Sequence, residues 1–412
     1  MATHRRGWRV RLGLVLALAW SLSGCQTRPP APPDLESALQ RLAESGYRPR
    51  RGYDTALRHE VWSRGEEQLD VSFIAPAASG DAPFPLLVYL PGLGESSSSG
   101  AVWRRAWAQA GYAVLSVQPM ELTQRIWASP LAREGDFPML AEKEFSAASA
   151  VHRIESLKFA LDELGRRARA GDPLYRSADL TRIVLVGFDL GAQTVSLVAS
   201  EPPGSETAAG QSALRAMITL SPVPRRPDGA RTTRFGSLSL PALSITGTED
   251  ADPLGLIDEP ALRQAPWNAM PPGDKYLLVL AGGSHAMLAG DGLFDPYSRQ
   301  TAGGESGGAG RKQRRGGRRR GGGNTGDESN LTDSAREPML LAEASGAGEA
   351  QSRRSGAQPG GQRAYDLRQI AAVEDVACAF IDAFVKRDAR ARQWLAEDAA
   401  RWLGATALLK VK

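Results

Sequence analysis

Cysteine is almost missing from this 412-residue chain: only Cys25 and Cys378 occur, in an otherwise ordinary globular composition. With Cys25 assigned below to a lipid, no partner remains for an intrachain disulfide, so a disulfide-stapled fold is excluded. Cys378 stands in the apolar helical pattern Val376-Ala377-Cys378-Ala379-Phe380 and reads as a small buried hydrophobe rather than a reactive thiol. Histidine is scarce too, with His4, His59, His152 and His285 the full set. Excess charge is also lacking. Lys plus Arg number 50 against 46 Asp plus Glu, and four of the arginines (Arg5, Arg6, Arg9, Arg11) fall in an N-terminal segment without an acid, leaving the remainder near neutral. No apolar run reaches the ~20 residues that span a bilayer. No nucleotide-binding glycine loop and no metal-ligand cluster is visible, so neither a cofactor nor a metal is expected.

The N-terminal segment has a basic start, the short apolar stretch Leu12 to Trp20, and the ending Leu22-Ser23-Gly24-Cys25. That order describes a secretory leader over residues 1–24. The last four residues resemble the bacterial lipobox, which implies a lipid on Cys25 as the first mature residue. Gln26 in place of aspartate implies, by the same resemblance, the outer membrane of the cell envelope, with the domain facing the periplasm. Residues 25–33, rich in proline, form a stiff extended tether. Asp34 then caps a short helix over Leu35 to Ser45.

Beyond the tether, short β-branched runs alternate with amphipathic helices, the pattern of a mostly parallel central sheet with helices on both faces. His59–Trp62 and Leu69–Ile74 read as an antiparallel hairpin. Leu86–Leu90, Ala113–Val117, Ile183–Val186, Met217–Leu220, Leu243–Thr246 and Leu277–Leu280 follow as strands. Helices are expected near Val102–Gln109, over Phe145–Arg169 and over Ala192–Ala199. From residue 298 to 363 the chain turns to Gly, Ser, Arg and Gln, including Arg311 to Arg320, and reads as a disordered insertion. Ile370 to Leu409 regains a helical pattern, so residues 34–297 and 364–412 are expected to form one domain. The loops Met120–Phe145 and Ser221–Leu240 carry no distinctive pattern.

The chemistry gathers at Val184-Leu185-Val186-Gly187-Phe188-Asp189-Leu190-Gly191. A strand running into G-x-S-x-G places a serine nucleophile on a tight strand-to-helix turn, and here Asp189 holds the serine position. Two further residues follow in the order that such a triad requires. Asp250, with Asp252 and Glu249 as alternatives, comes after the strand Leu243–Thr246, and His285 comes after Leu277–Leu280. His59 and His152 fall inside a strand and a helix, where structural roles are expected. The loop Pro91-Gly92-Leu93-Gly94 follows another strand, so the backbone N–H groups of Leu93 and Leu190 are the expected oxyanion-hole donors.

These residues, with the helix Arg153–Asp162 and the C-terminal Phe380–Phe384 and Trp394-Leu395, resemble the dienelactone-hydrolase and platelet-activating-factor-acetylhydrolase-like branch of the α/β-hydrolase superfamily. The resemblance implies an α/β-hydrolase fold and hydrolysis of ester-type substrates by a serine or cysteine. Asp189 departs from it and opens several readings. Aspartate serves as nucleophile toward saturated carbon in haloalkane dehalogenases and epoxide hydrolases, but Leu190 replaces the tryptophan of the former, and Leu220–Leu243 has no room for the tyrosine-bearing cap of the latter. Asp189 and His285 would alternatively act as an acid/base pair on water. The fold would otherwise serve as a non-hydrolysing binding or scaffolding module, with Asp189 merely capping a helix. The basic run Arg311–Arg320 suits anionic envelope polymers or lipid headgroups, and nucleic acid is not an expected partner in that compartment.

Overall fold

The computed structural model describes residues 45–77, 83–200, 213–224, 233–257, 259–290 and 359–412. The leader, the tether with Cys25, all but the last residue of the Asp34-capped helix, and nearly all of residues 298–363 lie outside them.

Nine strands among the described residues form one sheet: β1 (Thr55–Arg64), β2 (Glu67–Pro76), β3 (Phe84–Leu90), β4 (Ala113–Pro119), β5 (Ala178–Phe188), β6 (Leu214–Leu220), β7 (Ala242–Glu249), β8 (Lys275–Ser284) and β9 (Ala407–Val411). Their order is β1-β2-β4-β3-β5-β6-β7-β8-β9. The six from β4 to β8 run parallel, and antiparallel pairs close both ends. Every residue of β3 and β4 is buried, as expected for strands covered on both faces.

Helices α1 (Ala101–Gln109), α2 (Phe137–Glu144), α3 (Ala147–Arg169), α4 (Leu190–Ala199) and α5 (Pro359–Phe384) supply the cover. Trp103 and Trp107 of α1 and the apolar stripe from Ile370 to Phe380 on α5 pack on one face, against Leu87, Val186, Ile218 and Leu278. Ile154, Leu157 and Leu164 of α3, with Val195 of α4, pack on the other, against Leu86, Val88 and Leu185. The chain on the two sides of residues 291–358 therefore shares one core, and β9 hydrogen-bonds along β8.

The helical expectation for Ile370–Leu409 is corrected at its end. The long helix stops at Phe384, short helical turns follow between Ala389 and Leu403, and Ala407–Val411 is an edge strand. A short apolar run such as Ala407-Leu408-Leu409 suits either state, and the open backbone edge of β8 selects strand.

The first described residues lie over α5. Tyr47 donates its N–H to Asp375 at 3.0 Å and its hydroxyl to Asp382 at 2.7 Å, while Arg50 grips Asp388 with two bonds of 2.7 and 3.0 Å. Burial pushes the Asp375 carboxyl up to about 8, neighbouring Glu374 adds to the rise, and the Tyr47 N–H opposes it. A carboxyl whose folded value lies above its unfolded value of about 3.9 is tolerated while protonated and costs stability as the pH climbs through that interval. Asp375→Asn, which keeps an acceptor for Tyr47, is therefore expected to match the wild type near pH 4 and to exceed it by on the order of 2–4 kcal/mol above pH 8. Denaturant midpoints measured across that range check this, and parallel curves for the two proteins would contradict it.

Candidate active site

In the sheet, β4 and β5 leave β3 on opposite sides, so the connections diverge between β3 and β5 and open a crevice at their carboxyl ends. Leu90 and Gly187, the ends of these two strands, are paired neighbours. The loop with Leu93 and the turn with Asp189 consequently emerge side by side.

Asp189 joins β5 to α4 with φ 48° and ψ −109°, a conformation that costs an ordinary residue about 1–3 kcal/mol. The flanking glycines are required by space. A Cβ on Gly187 would lie 2.3 Å from the Gly191 backbone, and one on Gly191 would lie 1.9 Å from the Leu90 carbonyl oxygen. Backbone bonds hold the turn, with the Asp189 N–H donating to Leu220 O at 3.1 Å and the Gln193 N–H donating to Asp189 O at 3.1 Å. The Asp189 side chain makes no capping hydrogen bond to α4. Helix capping therefore does not account for an aspartate in this strained position.

His285 follows β8 directly, and its Nδ1 lies 2.9 Å from Asp250 Oδ1. Asp250 is fully buried and its carboxylate is saturated with donors. Ser221 Oγ donates to both oxygens at 2.8 and 2.9 Å, and Thr246 Oγ1 donates to Oδ2 at 2.7 Å. Arg263, equally buried, brings Nε within 3.1 Å of Oδ1 and donates it to the Asp250 carbonyl at 2.8 Å. Its Nη1 donates to Ser221 O at 2.9 Å and its Nη2 lies 3.2 Å from His285 Nδ1. Ser221 itself has φ 49°, a second strained residue, at the carboxyl end of the neighbouring strand.

Among the three candidate acids, Asp250 is thus the partner of His285. Asp252 instead accepts the N–H groups of Leu254 and Leu256 at 3.1 and 2.5 Å and shapes the loop, while Glu249 is exposed at the end of β7. His59 lies in β1, opposite Ser72. His152 lies on α3 with its ring nitrogens 3.4 Å from Glu67 and 3.5 Å from Glu121.

Burial raises the Asp189 carboxyl above its ordinary value; the Arg263 charge, the His285 ring when it carries a proton and the Leu190 N–H pull the other way, and Asp252 adds to the rise. The Leu190 N–H thus acts on the carboxylate beside it. At the opposite wall the Gly92 N–H is taken by Glu95 at 2.8 Å, the Gly94 N–H by Leu122 O at 2.9 Å, and Gln118 binds the Gly92 carbonyl at 2.8 Å. That pinning leaves the Leu93 N–H between them without a protein acceptor among the described residues.

The segment Met120–Phe145, patternless in the sequence, folds into short helical turns and α2 that cover this corner. Its Leu122, Ile126, Leu140 and Phe145 pack with Leu93, Leu190, Val223 and Ile257 in a separate apolar cluster. An open cleft of ≈ 710 Å³ lies on another side of the cover, with Glu66, Glu121, Arg125, Lys143 and His152 in its walls, and does not include Asp189 or His285. Among the described residues no group of three or more His, Cys, Asp or Glu is placed to hold a metal.

Arg263, Ser221 and Thr246 escape the sequence reading. Ser221 and Thr246 stand at strand ends, where catalytic support is often found, but Arg263 lies in a short helical turn with no local signal. No protein-family model matches this chain, and no curated protein sequence matches it.

Proposed function

We propose that the chain has an α/β-hydrolase fold, similar to the dienelactone-hydrolase and platelet-activating-factor-acetylhydrolase-like branch, and hydrolyses ester-type substrates in the cell envelope. A lipid on Cys25 would hold it to the outer membrane on the periplasmic side. The observation that carries the reading is the strained, uncapped Asp189 on a strand-to-helix turn. The bonded pair Asp250 and His285, on the two strand ends that follow, supports it. A module that only binds would have no use for that strain.

With Nδ1–H donating to Asp250, His285 presents Nε2 as a base. Nε2 takes a proton from water, the hydroxide adds to the ester carbonyl, and the resulting oxyanion accepts the Leu93 N–H. The tetrahedral adduct then expels the alkoxide, which takes the proton back from Nε2. Burial that favours the neutral form of Asp189 lowers its repulsion of the oxyanion. A second reading has a specific support of its own. The Leu190 N–H lies beside the Asp189 carboxylate and favours its charged form, without a capping hydrogen bond, as nucleophilic attack by that carboxylate on saturated carbon, followed by hydrolysis of the enzyme ester, would use.

Mature protein offered a short p-nitrophenyl ester in oxygen-18 water separates these routes. Water attack labels only the released acid, and turnover is expected in the wild type and to fall in Asp189→Ser. If a single turnover on an alkyl halide or epoxide places the label in the Asp189 carboxylate, the covalent route is correct. Hydrolysis that appears only in Asp189→Ser would refute both and leave a binding module.

A further inference from the structure

We propose that Trp127 is a specificity-determining residue and that the substrates are esters carrying an extended apolar group, which lies against its indole. The inference rests on reading the crevice at Asp189 and His285 as an ester-hydrolysing site.

The residues beside the reacting positions are apolar and gather in one place. Leu93, Leu190 directly after Asp189, Val223 two beyond Ser221, and Ile257 are buried in a single cluster with Leu122 and Ile126 of the cover. Such side chains offer no hydrogen bond, so a polar substituent placed among them would give up water for nothing, whereas an apolar one gains from the same transfer. The wide cleft elsewhere on the cover has charged walls, and Trp127 is not among them.

Trp127 carries this apolar surface outward. It lies on the turn Gln124–Ala128, next to Ile126, whose burial in the cluster anchors the turn. Its ring sits on the bare backbone of Gly94, where an added Cβ would come within 2.2 Å of Cζ2 and 2.8 Å of Nε1. Gly94 directly follows Leu93, the expected oxyanion donor, and its own N–H donates to Leu122 O at 2.9 Å, tying this loop to the cover. The indole is thus held beside the loop that receives the ester oxygen.

Core packing does not account for a tryptophan here. Trp62, Trp103 and Trp107 are each 1 % exposed, whereas Trp127 is 36 % exposed and leaves part of its ring uncovered. Phe137 of α2 stands edge-on to it at 6.4 Å between centroids, and Phe137 and Met139 are exposed as well. Leu57, Val61, Leu408 and Val411, also exposed, lie far apart in the sheet, on its two edge strands. The cover therefore presents a fixed apolar wall next to the site, and an apolar part of the substrate is the group that such a wall binds.

The test compares short and long esters on the full-length protein. p-Nitrophenyl acetate and hexanoate add carbons on the acyl side, and ethyl and hexyl acetate add them on the alcohol side. The wild type should prefer the longer member of one series by at least about tenfold in kcat/KM, and the series that shows it identifies the group bound. Trp127→Ala should abolish that preference, mainly through KM, while Trp127→Phe, which keeps an aromatic face, should retain most of it. No preference in the wild type, or a preference that survives in Trp127→Ala, would overturn the proposal. If the wild type hydrolyses none of these esters, the proposed activity fails, and binding decides the inference separately. The chain has nine tryptophans, so the fluorine-19 signal of 5-fluorotryptophan at position 127 can be assigned with Trp127→Phe. Hexan-1-ol should shift it saturably at a concentration at least about tenfold below that needed with ethanol. A Trp127 signal that responds equally to both alcohols, or to neither, would overturn the proposal, and this measurement stands even if Trp127→Ala does not fold.

Discussion

Replacing His285 by alanine is expected to lower kcat/KM toward a short ester by at least about a thousandfold while leaving the protein folded. Among the described residues the ring is the only base bonded to the buried Asp250, and no other group there is oriented by that carboxylate to take the water proton. Stability should change little by comparison. Asp250 keeps Ser221, Thr246 and Arg263 as partners when the imidazole is removed, so no buried charge is orphaned. The ring does pack on Phe188, at 4.8 Å between centroids, and losing that contact should cost about 1 kcal/mol. Steady-state kinetics beside a thermal melt check both parts. Unchanged turnover in a folded His285→Ala protein would remove the Asp250 and His285 pair from the mechanism.

Gly191→Ala is expected to cost at least about 4 kcal/mol or to prevent folding, among the largest effects of any single substitution here. The added Cβ would lie 1.9 Å from the Leu90 carbonyl oxygen, a backbone atom that no rotamer change can move. Relief would need β3 and β5 to separate where they are paired, at Leu90 and Gly187. Gly187→Ala meets the Gly191 backbone at 2.3 Å and should act on the same turn, so the two effects should combine less than additively. Gly52→Ala, with nothing within 4 Å of the added atom, serves as the control and should stay within about 0.5 kcal/mol of the wild type. Denaturant midpoints compare the three, and a mild Gly191→Ala would mean that the turn is looser than these contacts require.

Much of the strand pattern was legible because buried parallel strands are continuous apolar runs. Leu86–Leu90, Ala113–Val117 and Leu243–Thr246 all fall within strands of the sheet. The candidate site positions were legible for a related reason: Asp189, Asp250 and His285 stand at or just past strand ends, where apolar runs stop. The turn glycines were legible because only glycine fits there. Less could be read where a segment takes its form from contacts with distant parts of the chain. Met120–Phe145 has no periodicity of its own and folds by packing Leu122, Ile126, Leu140 and Phe145 onto Leu93 and Leu190. Ala407–Val411 extends a helical pattern by eye and becomes a strand because β8 offers it an edge.

The sequence by itself determined the α/β alternation, the tight turn around Asp189 and the order in which an acid and a histidine follow it. Local rules suffice for these, since side-chain periodicity and glycine's lack of a Cβ act over a few residues. Only the tertiary structure decided which of Glu249, Asp250 and Asp252 meets His285, and only it brought Arg263 to both. Those choices depend on a direction in space. Three acids within four residues point different ways as β7 ends, and Asp250 alone turns inward, where Ser221, Thr246 and Arg263 replace the water it gives up.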